Sequence, residues 1–162
     1  MKKELSKNLS LHYQLLFPYY RKALKSKNFK VLISIGGNIG DVKNRFNKLF
    51  HRFERDGNVR IIETSPILKN PPFGYIEQEY FFNGVILLET KLYPDDFLKR
   101  VLYLEKRFGR ERTFPNAPRT LDIDIIFFDK FKIKSKKLVI PHRDWHNRES
   151  VLIPLINLGR LK

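Results

Sequence analysis

The segment Arg119-Thr120-Leu121-Asp122-Ile123-Asp124-Ile125-Ile126-Phe127-Phe128 is an apolar run, typical of a β-strand, that two aspartates interrupt. Side chains two residues apart on a strand point to the same face and lie about 6.8 Å apart, so Asp122 and Asp124 share a face. Because burying two unpaired carboxylates is very costly, we expect positive charge beside them. Mg²⁺ with bound phosphate would supply it, as would Arg or Lys side chains on neighbouring elements; alternatively, this end of the strand is exposed to water.

The residues that precede this run predict strands and helices in alternation. A buried strand over residues 31–35 leads into the tight turn Gly36–Gly40, after which Asp41 caps a helix. The helix has an apolar face made of Val42, Phe46, Leu49, Phe50 and Phe53. Residues 59–65 predict a strand, and residues 66–79 a long irregular loop, because the paired prolines of this loop remove backbone donors.

The remaining predicted strands and helices complete the order of elements from which the fold class is inferred. A strand covers Phe81–Thr90, and a helix opens at Pro94 and stops at Gly109. This helix is expected to turn Phe97, Leu98, Val101, Leu102 and Phe108 inward. After the aspartates come a basic hairpin-like stretch over residues 130–137 and a short strand over residues 138–140. The order β-α-β-β-α-β predicts an α+β fold, a ferredoxin-like antiparallel sheet with helices packed on one face and the other face free.

Residues 1–29 look like a basic extension of a single domain that spans residues 30–162. Residues 1–30 carry eight basic side chains and one acid, Glu4. Leu11, Leu15 and Leu16 would share one face of a helix that Pro18 interrupts, so we expect the extension to be helical. It would dock on the domain as a helix or, alternatively, meet an anionic surface or a partner protein.

The composition excludes several classes of protein. The 162 residues contain no cysteine, which rules out disulfides, thiolate catalysis and Cys-ligated metals. No apolar run approaches the ~18 residues of a membrane span, and the N-terminus has no secretion signal, so we expect a cytoplasmic protein. The formal net charge of +15 predicts polyanionic partners, with phosphate-rich small molecules, nucleic acid and anionic membranes all open.

Basic side chains flank the two aspartates on both sides. Arg110, Arg112 and Arg119 lie in the loop before them, and arginine binds phosphate oxygens at two points and stabilises charge during phosphoryl transfer. His142 and Arg148 follow the last strand as further candidate phosphate contacts. The alternative is a loop of solvated arginines. His142 and His146 have the spacing of helical zinc ligands, but Pro141 and the lack of an intervening Glu argue against zinc.

Five blocks of sequence, in order, resemble the 6-hydroxymethyl-7,8-dihydropterin pyrophosphokinase family. The resemblance covers residues 30–160 and implies transfer of the β,γ-diphosphate of ATP to the pterin hydroxymethyl group, with release of AMP. The substrate's own hydroxyl would be the nucleophile. The blocks are residues 35–41, residues 70–74 leading to 82–85, residues 104–112, residues 118–124, and residues 139–142 with 147–148.

The resemblance also implies a role for particular residues. Asp122 and Asp124 would hold two Mg²⁺ ions, and Arg110, Arg112 and Arg119 would join them in catalysis. The ATP site would consist of Glu105, Arg110, Arg119, Ile125, Lys137, Leu138, Val139, His142 and Arg148, with Arg112 at the phosphates. The pterin site would consist of Asn70, Pro71, Phe73 and Asn83.

This chain departs from the family pattern at four places. Ser150 stands where the family usually has an aromatic that stacks on the pterin, and Phe81 stands where Tyr is common. Ala117 replaces a Gly, and the arginine-rich loop is one residue shorter. We therefore expect loop motion and pterin affinity to differ from those of the family.

Two alternatives remain from the sequence. The element order and the charge are also compatible with an RNA-binding α+β module, although the RNP1 pattern is absent and the aspartates would repel a phosphate backbone. A catalytically inactive protein of the same fold should have lost an aspartate or Arg119, and all three are present. We therefore expect a monomer that acts on ATP and a hydroxymethyl dihydropterin, with no nucleic-acid partner.

Overall fold

A large antiparallel sheet is the central element of this protein, which we describe from a computed structural model over residues 1–159. The sheet has eight strands: β1 (Lys2–Glu4), β2 (Ser10–His12), β3 (Tyr19–Tyr20), β4 (Phe29–Gly37), β5 (Val59–Thr64), β6 (Ile67–Asn70), β7 (Phe81–Thr90) and β8 (Asp122–Phe128). A separate hairpin contains β9 (Ile133–Lys134) and β10 (Val139–Ile140). The helices are α1 (Val42–Arg55), α2 (Pro94–Arg107) and α3 (Glu149–Ile156), with a 3-10 turn at Trp145–Asn147. The predicted α+β class is confirmed.

The strands are ordered β1-β2-β6-β7-β4-β8, and β5 pairs with β7 beyond the end of β6. All neighbouring strands are antiparallel. Strand β4 therefore lies between β7 and β8, and its C-terminal end meets the start of both. The glycine-rich turn after β4 and the loops before β7 and β8 all lie at this end of the sheet.

Helices α1 and α2 pack on the same face of the sheet. The side chain of Asp41 accepts a hydrogen bond from the backbone N–H of Asn44 and so caps α1, as predicted. The apolar faces of the two helices meet alternate residues of β4 such as Ile33 and Ile35, which are fully buried. This layer forms the main core and fixes β8 against α2.

The opposite face of the sheet is covered by α3, so the prediction of a free face is wrong. Leu32, Val85 and Ile126 point to this side and pack against Val151 of α3 and against Leu158. Strands that are apolar on both faces need a second layer to exclude water. Among residues 1–159 no helix has both the length and the apolar character that crossing a membrane requires.

The prediction of a helical extension is also wrong, because the segment before β4 consists of strands. β1 and β2 form a hairpin that joins the sheet edge at β6, and β3 pairs with β5. Sheet pairing satisfies the backbone groups along both sides of β2, and it places Leu11 beside Leu68 of β6 on the face that α3 covers.

Residues 67–70 form strand β6, which corrects the prediction of an irregular loop over residues 66–79. β6 pairs with β2 on one side and β7 on the other. The paired prolines, Pro71 and Pro72, come after its last residue, where a missing N–H costs no ladder hydrogen bond.

The extension makes stability depend on pH through His12, whose ring meets Phe82 edge-on with centroids 5.6 Å apart. Burial lowers the pKa of His12, as do Lys43, Lys2 and Lys69, whereas Glu4 opposes the shift. In the unfolded chain His12 takes up its proton at a higher pH than in the folded protein. Stability is therefore lost as the pH falls below about 6.5.

We expect the unfolding free energy of the wild type to fall more steeply than that of His12→Phe between about pH 7.5 and pH 5. Urea unfolding at a series of pH values measures both curves. Parallel curves for the two proteins would contradict the assignment.

Candidate active site

The two aspartates of β8 lie on the face of the sheet that α3 covers, at the end where the loops meet. Asp124 lies opposite Ser34, and Asp122 lies opposite Gly36 of β4, which in turn lies opposite Asn83 of β7. A Cβ at Gly36 would collide with the Oδ1 atom of Asn83, so glycine lets the Asn83 amide lie across β4. Asp122 and Asn83 are thus two strands apart, roughly 10 Å by strand spacing.

Asp122 is held by two arginines from the preceding loop. The Nη1 atom of Arg110 donates to Oδ1 of Asp122 at 2.5 Å, and Nη1 of Arg119 donates to Oδ2 at 3.1 Å. The same Arg110 atom donates to Oε1 of Glu105 at 2.8 Å. Arg112 is largely exposed, with its Nη2 atom 3.9 Å from Oε2 of Glu105. Three predicted arginines therefore surround one end of the aspartate strand.

Glu105 is the last buried residue of α2 and binds the free edge of β8. Its Oε1 atom accepts a hydrogen bond of 2.8 Å from the backbone N–H of Ile123, between the two aspartates. Burial raises the pKa of Glu105, and the Ile123 N–H and Arg110 oppose this effect. Glu105 thus fixes both the strand and the arginine that contacts Asp122.

Asp124 interacts with two side chains from the C-terminal part of the chain. Nη1 of Arg148 donates to its Oδ2 atom at 3.1 Å, and Nε2 of His142 lies 3.8 Å from the same oxygen. Burial raises the pKa of Asp124, and the neighbouring Asp122 raises it further, despite His142 and Arg148. Pairing with arginine, one of the alternatives open from the sequence, therefore occurs, but it leaves the charge of Asp124 incompletely compensated.

The aspartates open into a cavity of about 1110 Å³ between α2, β8 and the β9–β10 hairpin. Most residues predicted for ATP lie in its wall, namely Glu105, Ile125, Lys137, Leu138, Val139, His142 and Arg148, with Arg112 and both aspartates. Arg110 and Arg119 contact Asp122 beside this cavity. A cavity with both apolar and charged side chains in its wall suits a nucleotide.

Several residues of the cavity wall are not predicted from the sequence. Leu102 is not inward-facing as predicted: it is 45% exposed, and Leu104 is buried in its place. The pattern of α2 could have indicated a second face, because Asp95, Leu98 and Leu102 follow helical spacing. Further lining residues not predicted are Lys99, Ser135, Lys136, Arg143 and Asp144.

The residues predicted for the pterin are only partly brought together. The Nδ2 atom of Asn83 donates to Oδ1 of Asn70 at 2.6 Å, and Pro71 follows Asn70 at the end of β6. Phe73 is 87% exposed in the loop after β6. The guanidinium of Arg119 lies 5.1 Å from the ring centroid of Phe81, a residue noted only as a departure from the family pattern.

Asn38 has a buried side chain at this end of the sheet. The sequence predicts it only as part of the turn Gly36–Gly40. Its Oδ1 atom accepts a hydrogen bond of 2.9 Å from the backbone N–H of Arg119. Its Nδ2 atom donates to Oε1 of Gln78 at 2.9 Å and to the carbonyl of Glu79 at 3.0 Å. The run Gly36–Gly40 could have indicated this role, because a polar residue between glycines often bonds neighbouring loops.

The carboxylates of Asp122 and Asp124 are hard oxygen donors of the kind that Mg²⁺ prefers. Within residues 1–159, no group of three or more His, Cys, Asp or Glu side chains is placed so that it could hold a metal ion. A metal here would therefore take its remaining ligands from phosphate oxygens and water, as Mg²⁺ commonly does in ATP sites. The raised pKa of Asp124 indicates that another positive charge would be accommodated.

Comparison with known proteins finds a matching family and several similar proteins. The family described as 7,8-dihydro-6-hydroxymethylpterin-pyrophosphokinase matches residues 32–160. The chain is 41% identical over 139 residues to the 2-amino-4-hydroxy-6-hydroxymethyldihydropteridine pyrophosphokinase of Campylobacter jejuni, which covers 86% of this chain and 88% of that protein. The Helicobacter pylori protein of the same name is 41% identical over 138 residues, or 84% of each chain. The folic acid synthesis protein fol1 of Schizosaccharomyces pombe is 32% identical over 134 residues, 83% of this chain and 18% of that longer protein.

Nothing in these comparisons supports the alternative of an RNA-binding module.

Proposed function

The chain belongs to the 7,8-dihydro-6-hydroxymethylpterin-pyrophosphokinase family, and from that premise we propose where its reaction takes place. The protein transfers diphosphate from ATP to the hydroxymethyl group of the dihydropterin, giving AMP and the pterin diphosphate in folate biosynthesis. We assign the transfer to Asp122, Asp124 and the arginines beside them. The observation that carries this assignment is the convergence of Arg110, Arg119 and Arg148 on two carboxylates at the wall of the large cavity.

We propose that Asp122 and Asp124 together hold two Mg²⁺ ions that accompany ATP. Both residues line the cavity, and the pKa of Asp124 is raised by burial and by the neighbouring Asp122 despite Arg148 and His142. Bound Mg²⁺ would neutralise phosphate charge and orient the phosphates. The arginines now paired with the aspartates would then be free to contact phosphate oxygens.

Arg110, Arg112 and Arg119 are proposed to stabilise the charge that develops during transfer. In the reaction the hydroxymethyl oxygen forms a bond to the β-phosphorus of ATP, the bond from that phosphorus to the oxygen retained by AMP breaks, and AMP leaves. No side chain needs to act as a nucleophile, so alignment and charge stabilisation account for catalysis. Glu105 would act by holding Arg110 in position.

The ATP site is proposed to be the cavity between α2, β8 and the β9–β10 hairpin. Ile125, Leu138 and Val139 provide apolar surface for the base, and Lys137, His142 and Arg148 provide polar groups for the phosphates. Ile125 belongs to β8 and Leu138 and Val139 to the hairpin, whereas Arg148 and His142 lie at Asp124. Phosphates bound by Arg148 and His142 would therefore lie beside the aspartates.

The pterin is proposed to bind near Asn70, Pro71, Phe73 and Asn83. The Asn70–Asn83 amide pair offers donors and acceptors in the same row of the sheet as Asp122, which suits a heterocycle whose hydroxymethyl group must reach the phosphates. The exposed ring of Phe73 is available to stack on it. Ser150 offers no ring from the α3 side.

Product analysis tests the proposed function directly. The protein is mixed with ATP, Mg²⁺ and 6-hydroxymethyl-7,8-dihydropterin, and nucleotides are separated by chromatography, with controls lacking pterin or metal. We expect AMP in equal amount to a diphosphorylated pterin, and only with Mg²⁺. ADP would overturn diphosphate transfer, and product formation without any divalent metal would overturn the magnesium assignment.

We also propose that β8, β4, β7 and β5, with α1 and α2, form a ferredoxin-like core inside a pyrophosphokinase domain of residues 30–162. The order of these strands, their antiparallel pairing and the shared face of the two helices support this proposal. Residues 160–162 lie outside the described part of the chain. Residues 1–29 would then add strands to that domain. We propose that the protein acts as a monomer, in the cytoplasm where ATP is available.

A further inference from the structure

Two loops at the same end of the sheet meet through one glutamine side chain. The acceptor loop, residues 71–80, joins β6 to β7, and the arginine loop, residues 108–121, joins α2 to β8. Gln78 of the acceptor loop donates through Nε2 to the carbonyl of Asn116 in the arginine loop at 2.9 Å. The same nitrogen donates to the carbonyl of Tyr75 within its own loop at 2.6 Å.

The acceptor oxygen of Gln78 is used as well, by the buried Asn38. The Asn38 amide donates to Oε1 of Gln78, and its own oxygen accepts from the backbone N–H of Arg119. Gln78 is therefore linked to the arginine loop at two points, directly at Asn116 and through Asn38 at Arg119. Gln78 is half-buried, and its three bonds to three different segments indicate a fixed side chain.

Two further contacts join the same loops without involving Gln78. The rings of Tyr75 and Phe114 meet edge-on with centroids 5.2 Å apart. Gly74 has φ +78° and approaches Asn116 so closely that an added Cβ would lie 2.5 Å from the Nδ2 atom of Asn116. The two loops are thus packed against each other over several residues.

We propose that Gln78 is a positioning residue for diphosphate transfer, because it holds the arginine loop in register with the acceptor loop. The proposal rests on the function proposed above, since Arg119 contacts both Asp122 and the ring of Phe81 at the start of β7. A displacement of the acceptor loop would then move the arginines, although Gln78 itself contacts neither substrate. Gln78 acts through Asn116 and Asn38.

Two substitutions separate the bonds of Gln78. Gln78→Met keeps the length of the side chain and removes all three hydrogen bonds. Gln78→Glu keeps an oxygen for the Asn38 amide and removes the donor to Asn116 and Tyr75. Glu77→Gln is the matched control, because Glu77 is its exposed neighbour and makes no hydrogen bond or ion pair within residues 1–159.

Hydrogen–deuterium exchange of the free enzyme tests the coupling without any turnover. We expect Gln78→Met and Gln78→Glu to speed exchange of peptides within residues 110–118 by roughly threefold or more, and Glu77→Gln to leave it unchanged. Acceleration confined to residues 71–80 would overturn the proposal. Fluorescence of Trp145, which packs on Phe127 away from both loops, checks that each variant is folded. If Gln78→Met does not fold, Gln78→Glu provides the same test.

Steady-state kinetics then tests the positioning role. We expect kcat to fall by roughly tenfold in both Gln78 variants and the KM for ATP to change by a smaller factor than kcat, since most of the wall of the ATP cavity lies outside both loops. Faster exchange with an unchanged kcat would overturn the positioning role. Absence of turnover in the wild type would instead refute the proposed function, and the exchange experiment would still decide whether Gln78 couples the loops.

Discussion

Asp124→Asn is expected to reduce AMP formation by roughly a thousandfold or more and to leave the protein folded and no less stable. The substitution keeps the shape of the side chain but removes the negative charge that we assign to Mg²⁺. Arg148 and His142 would remain beside the new asparagine, but neither side chain supplies a negative charge that could bind Mg²⁺. Chromatographic measurement of AMP at saturating Mg²⁺ gives the activity.

The stability expected for this variant follows from the electrostatics of the site. Burial and the nearby Asp122 raise the pKa of Asp124, so the folded protein favours the neutral carboxyl more than the unfolded chain does. Ionised Asp124 therefore opposes folding at neutral pH, and asparagine removes that charge. A thermal melt should show a midpoint equal to or above that of the wild type.

The matched control for this prediction is Asp96→Asn, the same chemical change on the exposed side of α2. Asp96 is exposed and pairs with Lys99 at 3.9 Å, and we expect its loss to change activity by less than about twofold. Near-normal turnover of Asp124→Asn would contradict the metal assignment. Unfolding of Asp124→Asn would instead mean that its pairs with Arg148 and His142 are needed for the fold.

The sequence predicts those elements whose pattern is local. The helical spacing of α1 and the apolar runs of β4 and β8 each extend over several residues, and the structure contains all three elements. β1, β2 and β6 are three or four residues long, which is too short for a period. They form because each pairs with a strand distant in sequence, and periodicity does not encode that pairing.

The residues of the candidate site likewise divide into those that a local sequence pattern predicts and those that depend on how distant elements pack. The period of a strand places Asp122 and Asp124 on one face, as observed. The contact of Arg110 with both Glu105 and Asp122 depends instead on how α2 packs beside the edge of β8. Helical spacing separates Leu102 from Leu104, but both positions are apolar, so the sequence does not tell which of the two enters the core and which lines a cavity.

Phe17→Ala is expected to destabilise the protein by about 3–5 kcal/mol, the usual cost of truncating a fully buried phenylalanine. Phe17 belongs to the segment before β4, which precedes the residues matched by the family. Its side chain is 0% exposed and packs in the main core against Phe46 and Phe50 of α1, with ring centroids 5.9 and 6.4 Å away. Nothing nearby can fill the space without moving α1.

Leu15→Ala is the control for this prediction, because Leu15 lies two residues earlier and is 90% exposed. We expect it to change stability by less than about 0.5 kcal/mol. Urea unfolding of both variants measures the difference, and an equal effect of the two would contradict the packing of Phe17. The predicted result means that the segment before β4 contributes to the core of this protein: Phe17 completes the apolar surface of α1 and so helps to support β4, which lies between the proposed pterin and ATP sites.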